Sequence, residues 1–346
     1  MSAWTDAARQ AQAALDTHFW DDEAGLYRVC LPPRLLRPDD PFHYWWQAHA
    51  LDALVDAFER DGEQAHLARA ARLVEGVRPA NRGSLHNDYY DDMLWMALAL
   101  LRLHGVSADP RFLADCLDLW GDIRGGWNGH EGGGVAWRRT QPGYKNTPAN
   151  APAVILGARL SRQTGEENHL DFALAVLRWL QAHLIDPTTG VVWDGVGREA
   201  PGRIDRDWAF TYNEGTVIGA GAALWQATGD SAALALARRT AGAALERYGP
   251  VLPGEGTGDG GLFKGVLVRY LGLLAREDAA STAGIGAFLA ANAACAARHL
   301  DPTSGLNGPD WAAVPGRPLD LSAALSGVLL RESAAAAQRA ALRAGA

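Results

Sequence analysis

The chain has 346 residues, of which 48% are hydrophobic and 21% charged, with a formal net charge of −8. These proportions suit a globular chain, and the acidic balance excludes a nucleic-acid partner, because phosphate binding needs a basic face. No apolar run reaches the roughly 20 residues of a bilayer span, so no membrane partner is expected.

Apolar residues recur with helical period along most of the chain. The spacing predicts twelve helices, at 3–19, 43–60, 63–77, 90–105, 109–121, 147–163, 168–184, 213–228, 230–247, 262–276, 281–299 and 318–331. Strand signals are short and scarce, "VVW" at 191–193 among them. The connections alternate. Five are tight turns such as "RDGEQ", "QTGEEN" and "ATGDS". The others (20–42, 78–89, 122–146, 185–212, 248–261 and 300–317) are long and rich in Gly, Trp, Asn and Asp. Helical hairpins joined by long loops predict an all-α fold of the (α/α)6 toroid class, as a single domain over 1–331. The Ala-rich stretch 332–346 reads as a fraying helical tail.

A weak internal repeat supports this architecture. "FWDDEAGLYRV" at 19–29, "LIDPTTGVVWDG" at 184–195 and "HLDPTSGLNGPDW" at 299–311 each leave a helix and turn through Asp and small residues to a Gly. The Gly supplies the positive φ such a turn requires.

The N-terminus lacks the basic region and continuous apolar core of a secretory signal. A cytoplasmic location is therefore expected, or a secreted one if a signal has been removed. Cys30, Cys116 and Cys295 are too few and too scattered for a disulfide framework or a CxxC site. His43, His49, His86 and His130 show no paired ligand spacing. No metal or cofactor is expected, and a monomer is.

The most informative stretch is "NDYYDDMLWMALALLRLHG" at 87–105, where Asp91 and Asp92 open an apolar helix. Aspartates there cap free N–H groups and meet the positive end of the helix dipole. A second reading is chemical. Neighbouring Cβ atoms at a helix start lie about 5.5 Å apart, and retaining glycosidases hold their two carboxyl groups about 5–5.5 Å apart. Asp88 already stands at the helix start, so three acids crowd one terminus. Tyr89, Tyr90 and Trp95 surround the pair with flat faces suited to sugar rings, which capping does not need. The residues alone leave open which aspartate attacks and which donates a proton.

The stretch "YYDDMLWMALALLR" resembles the signature of glycoside hydrolase family 76, the endo-α-1,6-mannanases. "YKNTPANAPAVILGARL" at 144–160, "FTYNEGTVIGAGAALWQATGD" at 210–230 and "GLFKGVLVRYLGLL" at 261–274 resemble further helix starts of that family, and "WWQAHALDALVDA" at 45–57 is a looser match. The resemblance implies an (α/α)6 fold, retention of configuration, no metal, and a mannose-containing oligo- or polysaccharide as substrate. Carried onto this chain, it makes Asp91 the nucleophile and Asp92 the general acid/base. Met96 stands where a second aromatic residue is common.

Further candidates for sugar contacts are Trp127 and Asn128 in a Gly-rich loop, Asn146 and Asn150 at a helix start, and Trp193 and Asp194 in the loop 185–212. Tyr212, Asn213 and Glu214 open one helix, and Phe263 and Lys264 another. Glu214 is the alternative carboxylate if the Asp pair only caps. Two other function classes share these features. One is another sugar-active toroid: an α-glycosidase of different specificity, a transglycosylase, an unsaturated-uronyl hydrolase or an epimerase. The other is a non-catalytic carbohydrate-binding protein.

Overall fold

The structure, a computed structural model, describes residues 3–34 and 41–344. Part of the expected loop 20–42 and the last two residues of the expected tail lie outside the described residues. Twelve α-helices are present among the described residues: α1 (Ala3–Phe19), α2 (Tyr44–Asp61), α3 (Gln64–Ala80), α4 (Tyr90–Ser107), α5 (Pro110–Gly125), α6 (Thr147–Thr164), α7 (Glu167–His183), α8 (Thr211–Thr228), α9 (Ser231–Tyr248), α10 (Gly260–Glu277), α11 (Ala279–Ala297) and α12 (Leu321–Ala344). Each falls where the apolar periodicity places one. Seven short strands join them: β1 (Trp20–Asp21), β2 (Leu26–Tyr27), β3 (Cys30–Leu31), β4 (Ala136–Arg138), β5 (Gln141–Asn146), β6 (Gly195–Val196) and β7 (Leu319–Asp320). The expected strand at 191–193 is absent; Val192 makes only an isolated bridge to Ile185.

Contacts divide the chain into two compact units. The first holds residues 1–85, 105–108 and 248–346. Here α12 packs against α1, α2, α10 and α11. Its approach to α10 is close because α10 presents Gly261, Gly265 and Gly272. A Cβ on any of these would meet Ser322 or Ala323, Ser326, and Ser333 of α12 at 3.0 Å or less. α12 runs unbroken to Ala344, beyond the end expected at 331, and Glu332, Ala334, Ala335 and Ala337 are buried. Its Ala-rich composition made this segment read as a tail; burial of small Ala side chains makes it part of the packed helix.

α11 is the most apolar of the helices by composition. Its 19 residues carry no charge and are long and apolar enough, by length and composition, to cross a membrane. In this fold one face of α11, with Ile285, Phe288, Leu289, Ala293 and Ala296, is buried, and the helix packs on α10 and α12.

The second unit holds residues 86–104 and 109–247. α6 packs on α7 and α8, and β4, β5 and β6 form a three-stranded antiparallel sheet, with Ala136 opposite Lys145 and Asn146 opposite Gly195.

The three repeat turns share one geometry. Gly25, Gly190 and Gly305 have φ of 65°, 76° and 71°. Each donates its N–H to the carbonyl of the aspartate four residues earlier, Asp21, Asp186 and Asp301, at 2.8–2.9 Å. The same aspartates' carboxylates accept from backbone N–H groups inside the turn. Cys30, Cys116 and Cys295 are free and buried.

Candidate active site

In the second unit the first turn of α4 carries Asp91 and Asp92. Asp91 Oδ1 accepts the backbone N–H of Asp92 at 3.0 Å, and its Oδ2 accepts the indole Nε1–H of Trp137 at 2.9 Å. Trp137 reaches it from the middle of β4. Asp92 Oδ2 accepts from the Asn87 amide at 2.9 Å, and Asn87 Oδ1 in turn accepts the Tyr89 N–H at 3.1 Å. The two carboxyls are therefore held by separate donors.

Asp91 keeps some solvent-facing surface, yet its carboxyl is enclosed deeply enough that burial pushes its pKa up to about 7. The Asp92 N–H and the Trp137 indole pull against that rise, and the negative charge of Asp194 adds to it.

Asp194 precedes β6 and is the hub of a buried cluster. Its Oδ1 accepts from the Tyr212 hydroxyl at 2.8 Å and the Asn213 amide at 3.4 Å; its Oδ2 accepts from the Tyr144 hydroxyl at 2.9 Å and Arg198 Nη2 at 3.2 Å. Arg198 also donates to the Tyr144 hydroxyl and, through Nε, to Asp205 at 2.9 Å. Burial raises the Asp194 pKa against the pull of these donors. Tyr144 and Tyr212 are both pushed above the usual phenol range by burial and by the carboxylate they face.

The sheet brings these groups together. Trp137 on β4 and Tyr144 on β5 meet edge to face, with ring centroids 5.7 Å apart. Tyr144 lies directly on Gly195, where a Cβ would fall 2.5–2.7 Å from the phenol ring and hydroxyl. Tyr89 packs edge-on against Trp137 at 5.2 Å, and Arg138 donates to its hydroxyl at 3.1 Å. The carboxyl pair, Trp137, Tyr144, Asp194 and Tyr212 thus form one continuous polar and aromatic site.

Several residues expected to touch a sugar also make contacts within the fold. Tyr90 is buried, its ring covered by Gly126, with Arg139 over it at 5.3 Å. Trp95 is buried at 5% exposure. Trp127 packs against Gly133 and, edge to face, Phe172. Asn128 ties its loop by donating to Pro142 O and accepting from the His130 N–H. Asn146 caps α6 through the Ala149 N–H, and Asn150 clamps both backbone groups of Val135. Trp193 lies under Arg206, whose guanidinium is 4.1 Å from the ring centre. Glu214 is buried with Arg247 at 3.7 Å.

Phe263 and Lys264 belong to the first unit. Lys264 is fully buried, its Nζ 4.1 Å above the Trp311 ring and 3.5 Å from Pro253 O, and burial lowers its pKa to about 8. The ring and the carbonyl are what hold a cation at that helix start. Among the described residues one group could hold a metal ion: Asp61, Glu63 and His66. The Arg60 guanidinium lies 2.6 Å from Asp61.

Sequence reasoning missed Trp137, Tyr144, Arg198 and Asn87. Trp137 ends the Gly-rich loop that contains Trp127, and Tyr144 opens the "YKNTPAN" helix start, so both lay within stretches already singled out.

Comparison with known proteins gives the chain's family and fold. A model of the family described as "Glycosyl hydrolase family 76" matches residues 3–326. The structure of the GH76A α-1,6-mannanase from Salegentibacter sp. HEL1_6 is 35% identical, covers 96% of this chain and 99% of its own, and superposes with a TM-score of 0.90. An inactive variant of that enzyme, with two consecutive aspartates changed to asparagine, is in complex with α-1,6-mannotriose, and matches with the same identity, coverage and TM-score. The mannan endo-1,6-α-mannosidase DCW1 of Candida glabrata is 26% identical over 55% of this chain and 47% of its own length. The chain thus spans about half the length of the curated relatives it matches. Its fold class is the all-α (α/α)6 toroid expected from the alternation of turns and loops.

Proposed function

The chain belongs to glycosyl hydrolase family 76, and from that premise we propose that it is a retaining hydrolase of α-1,6-mannosidic linkages, with Asp91 as nucleophile and Asp92 as general acid/base. The observation that carries the reading is the adjacent, separately bonded carboxyl pair at the start of α4; the family resemblance orders the roles, and the hydrogen bonding fits Asp91. Both its donors, an indole N–H and a backbone N–H, can only donate. They select the ionised carboxylate, as does the N-terminal end of α4. A nucleophile needs that form.

The chemistry follows from the adjacency. A carboxylate oxygen of Asp91 attacks the anomeric carbon while the bond to the leaving O6 breaks, and Asp92 gives its proton to that oxygen. The product is a mannosyl ester on Asp91. Asp92, now a carboxylate, takes a proton from water, which attacks the same carbon and releases Asp91. Two inversions return the α configuration. The transition states carry positive charge on the sugar ring, and the buried negative charge of Asp194 favours it. That same charge raises the Asp91 pKa, so sugar and nucleophile share one field.

The mannanase activity and mannotriose complex of the Salegentibacter relatives support the choice of linkage. The test is cleavage of α-1,6-mannooligosaccharides beside α-1,2- and α-1,3-linked ones, with Asp91→Asn and Asp92→Asn as comparisons. Selective cleavage of the α-1,6 series, lost in both variants, is expected. Full turnover in both variants would overturn the assignment.

A further inference from the structure

Just ahead of α4, residues 86–89 are tied down at several points, and the ties lead to Asp92. His86 presents both ring nitrogens to α5: Nδ1 lies 2.7 Å from Asp122 Oδ2, and Nε2 lies 2.8 Å from Asp118 Oδ2. Carboxylates only accept, so both nitrogens donate and the ring is charged. Burial opposes that charge, but the hydrogen bonds to Asp122 and Asp118 outweigh it and raise the His86 pKa. Asp118 and Asp122 stand one turn apart on α5, so the ring is gripped at two points of one helix face.

Arg139 holds the same segment. Its backbone N–H donates to Asp88 O at 2.9 Å, its Nε to Asn87 O at 3.3 Å, and its Nη2 to the Asp122 carboxylate. Asp122 therefore joins His86 and Arg139. Within this hold, Asn87 Oδ1 accepts the Tyr89 N–H at 3.1 Å. A backbone N–H can only donate, so the oxygen end of the amide faces Tyr89 and the nitrogen end is left to face Asp92. There Nδ2 donates to Asp92 Oδ2 at 2.9 Å. An asparagine at such a turn needs only its oxygen to close it. The second bond, aimed at a carboxyl from a backbone fixed through Arg139 and His86, is more than the turn requires.

We propose that Asn87 is the positioning residue of Asp92, and that His86, Asp122 and Arg139 form the brace that aims it. The inference rests on the hydrolase reading above, in which Asp92 gives its proton to the leaving O6. Asn87 meets Oδ2 as a donor, which leaves the transferable proton to Oδ1. Proton transfer needs that oxygen within hydrogen-bond reach of the leaving oxygen as the glycosidic bond breaks. With the Asn87 bond lost, Oδ1 is aimed less tightly, and a misplacement of about 1 Å costs on the order of a hundredfold in rate.

Asn87→Ser separates aiming from folding. The hydroxyl still accepts the Tyr89 N–H, as serine does at such turns, so the melting temperature holds, but the side chain is too short to reach Asp92. Two substrates read the effect through kcat/KM, which reports the first step of a retaining enzyme. α-1,6-Mannotetraose expels a sugar hydroxyl, which needs the proton of Asp92. α-1,6-Mannotriosyl fluoride expels fluoride, which needs little help. The tetraose value should fall by about tenfold to a hundredfold and the fluoride value by less than about twofold. Asp122→Asn, which weakens the hold on Arg139 and His86, should give the same split at smaller size. An equal fall on both substrates in Asn87→Ser, or no fall on either, overturns the positioning role while cleavage by the wild type leaves the hydrolase reading standing. A split in Asn87→Ser without one in Asp122→Asn overturns the brace alone. If the wild type cleaves neither substrate, the inference falls together with the hydrolase reading.

Discussion

The Trp137 indole donates to Oδ2 of Asp91 at 2.9 Å across 46 residues of sequence, so the protonation of the proposed nucleophile is set partly by a neutral side chain of β4. Trp137→Phe keeps the ring and removes the N–H. A hydrogen bond to a charged group contributes about 1.5–3 kcal/mol, so kcat/KM should fall by about tenfold to a hundredfold. The acid limb of its pH profile should move to higher pH, because Asp91 loses one of the donors that favour its ionised form. A purely structural role for Trp137 would leave that limb in place.

The pH dependence of the unaltered enzyme follows from the same carboxyl. As the proposed nucleophile Asp91 must be ionised to attack, and burial holds its pKa up to about 7. The kcat/KM for a mannooligosaccharide should therefore fall as pH drops through about 7, well above the usual carboxylate range. A profile flat down to pH 5 would contradict this.

Gly195→Ala tests the support beneath Asp194. The new Cβ would overlap the Tyr144 ring and displace a donor to Asp194. Overpacking of this kind costs about 1–3 kcal/mol, and thermal unfolding should show it together with reduced turnover. Gly143→Ala, on the same sheet with nothing within 4 Å of its Cβ, should change neither by much.

A fourth prediction concerns stability. Glu332 on α12 is buried, its carboxyl 2.9 Å from Arg60, and burial raises its pKa to about 7 from 4.5. Between those values the folded chain holds a proton that the unfolded chain releases. This contribution is full below about pH 4.5 and is lost as pH rises through 7, to a limit of about 3 kcal/mol. Glu332→Gln removes the titration, so its melting temperature should vary less between pH 5 and 8 than that of the wild type.

The helices were legible because their apolar residues repeat with a helical period, and the repeat turns because Asp and Gly mark both ends of one geometry. The continuation of α12 was not, since Ala side chains carry too little hydropathy to signal a buried face. The sheet of β4, β5 and β6 was hidden for another reason: its strands are short and without alternation. Within the site, Asp91 and Asp92 stood out by adjacency and Asp194 as part of a Trp–Asp pair in a long loop. Trp137 and Arg198 act through contacts that no local pattern encodes. Asn128, Asn146 and Asn150 were ambiguous because a polar side chain at a helix or loop start looks the same whether it meets a ligand or a backbone N–H. Here each is engaged by backbone.

The most direct test of the central claim is proton NMR of the first product formed from α-1,6-mannotetraose, before mutarotation. Attack by Asp91 followed by water on the same carbon predicts that the α anomer appears first. Initial appearance of the β anomer would mean a single inversion, with no mannosyl ester on Asp91, and would contradict the account.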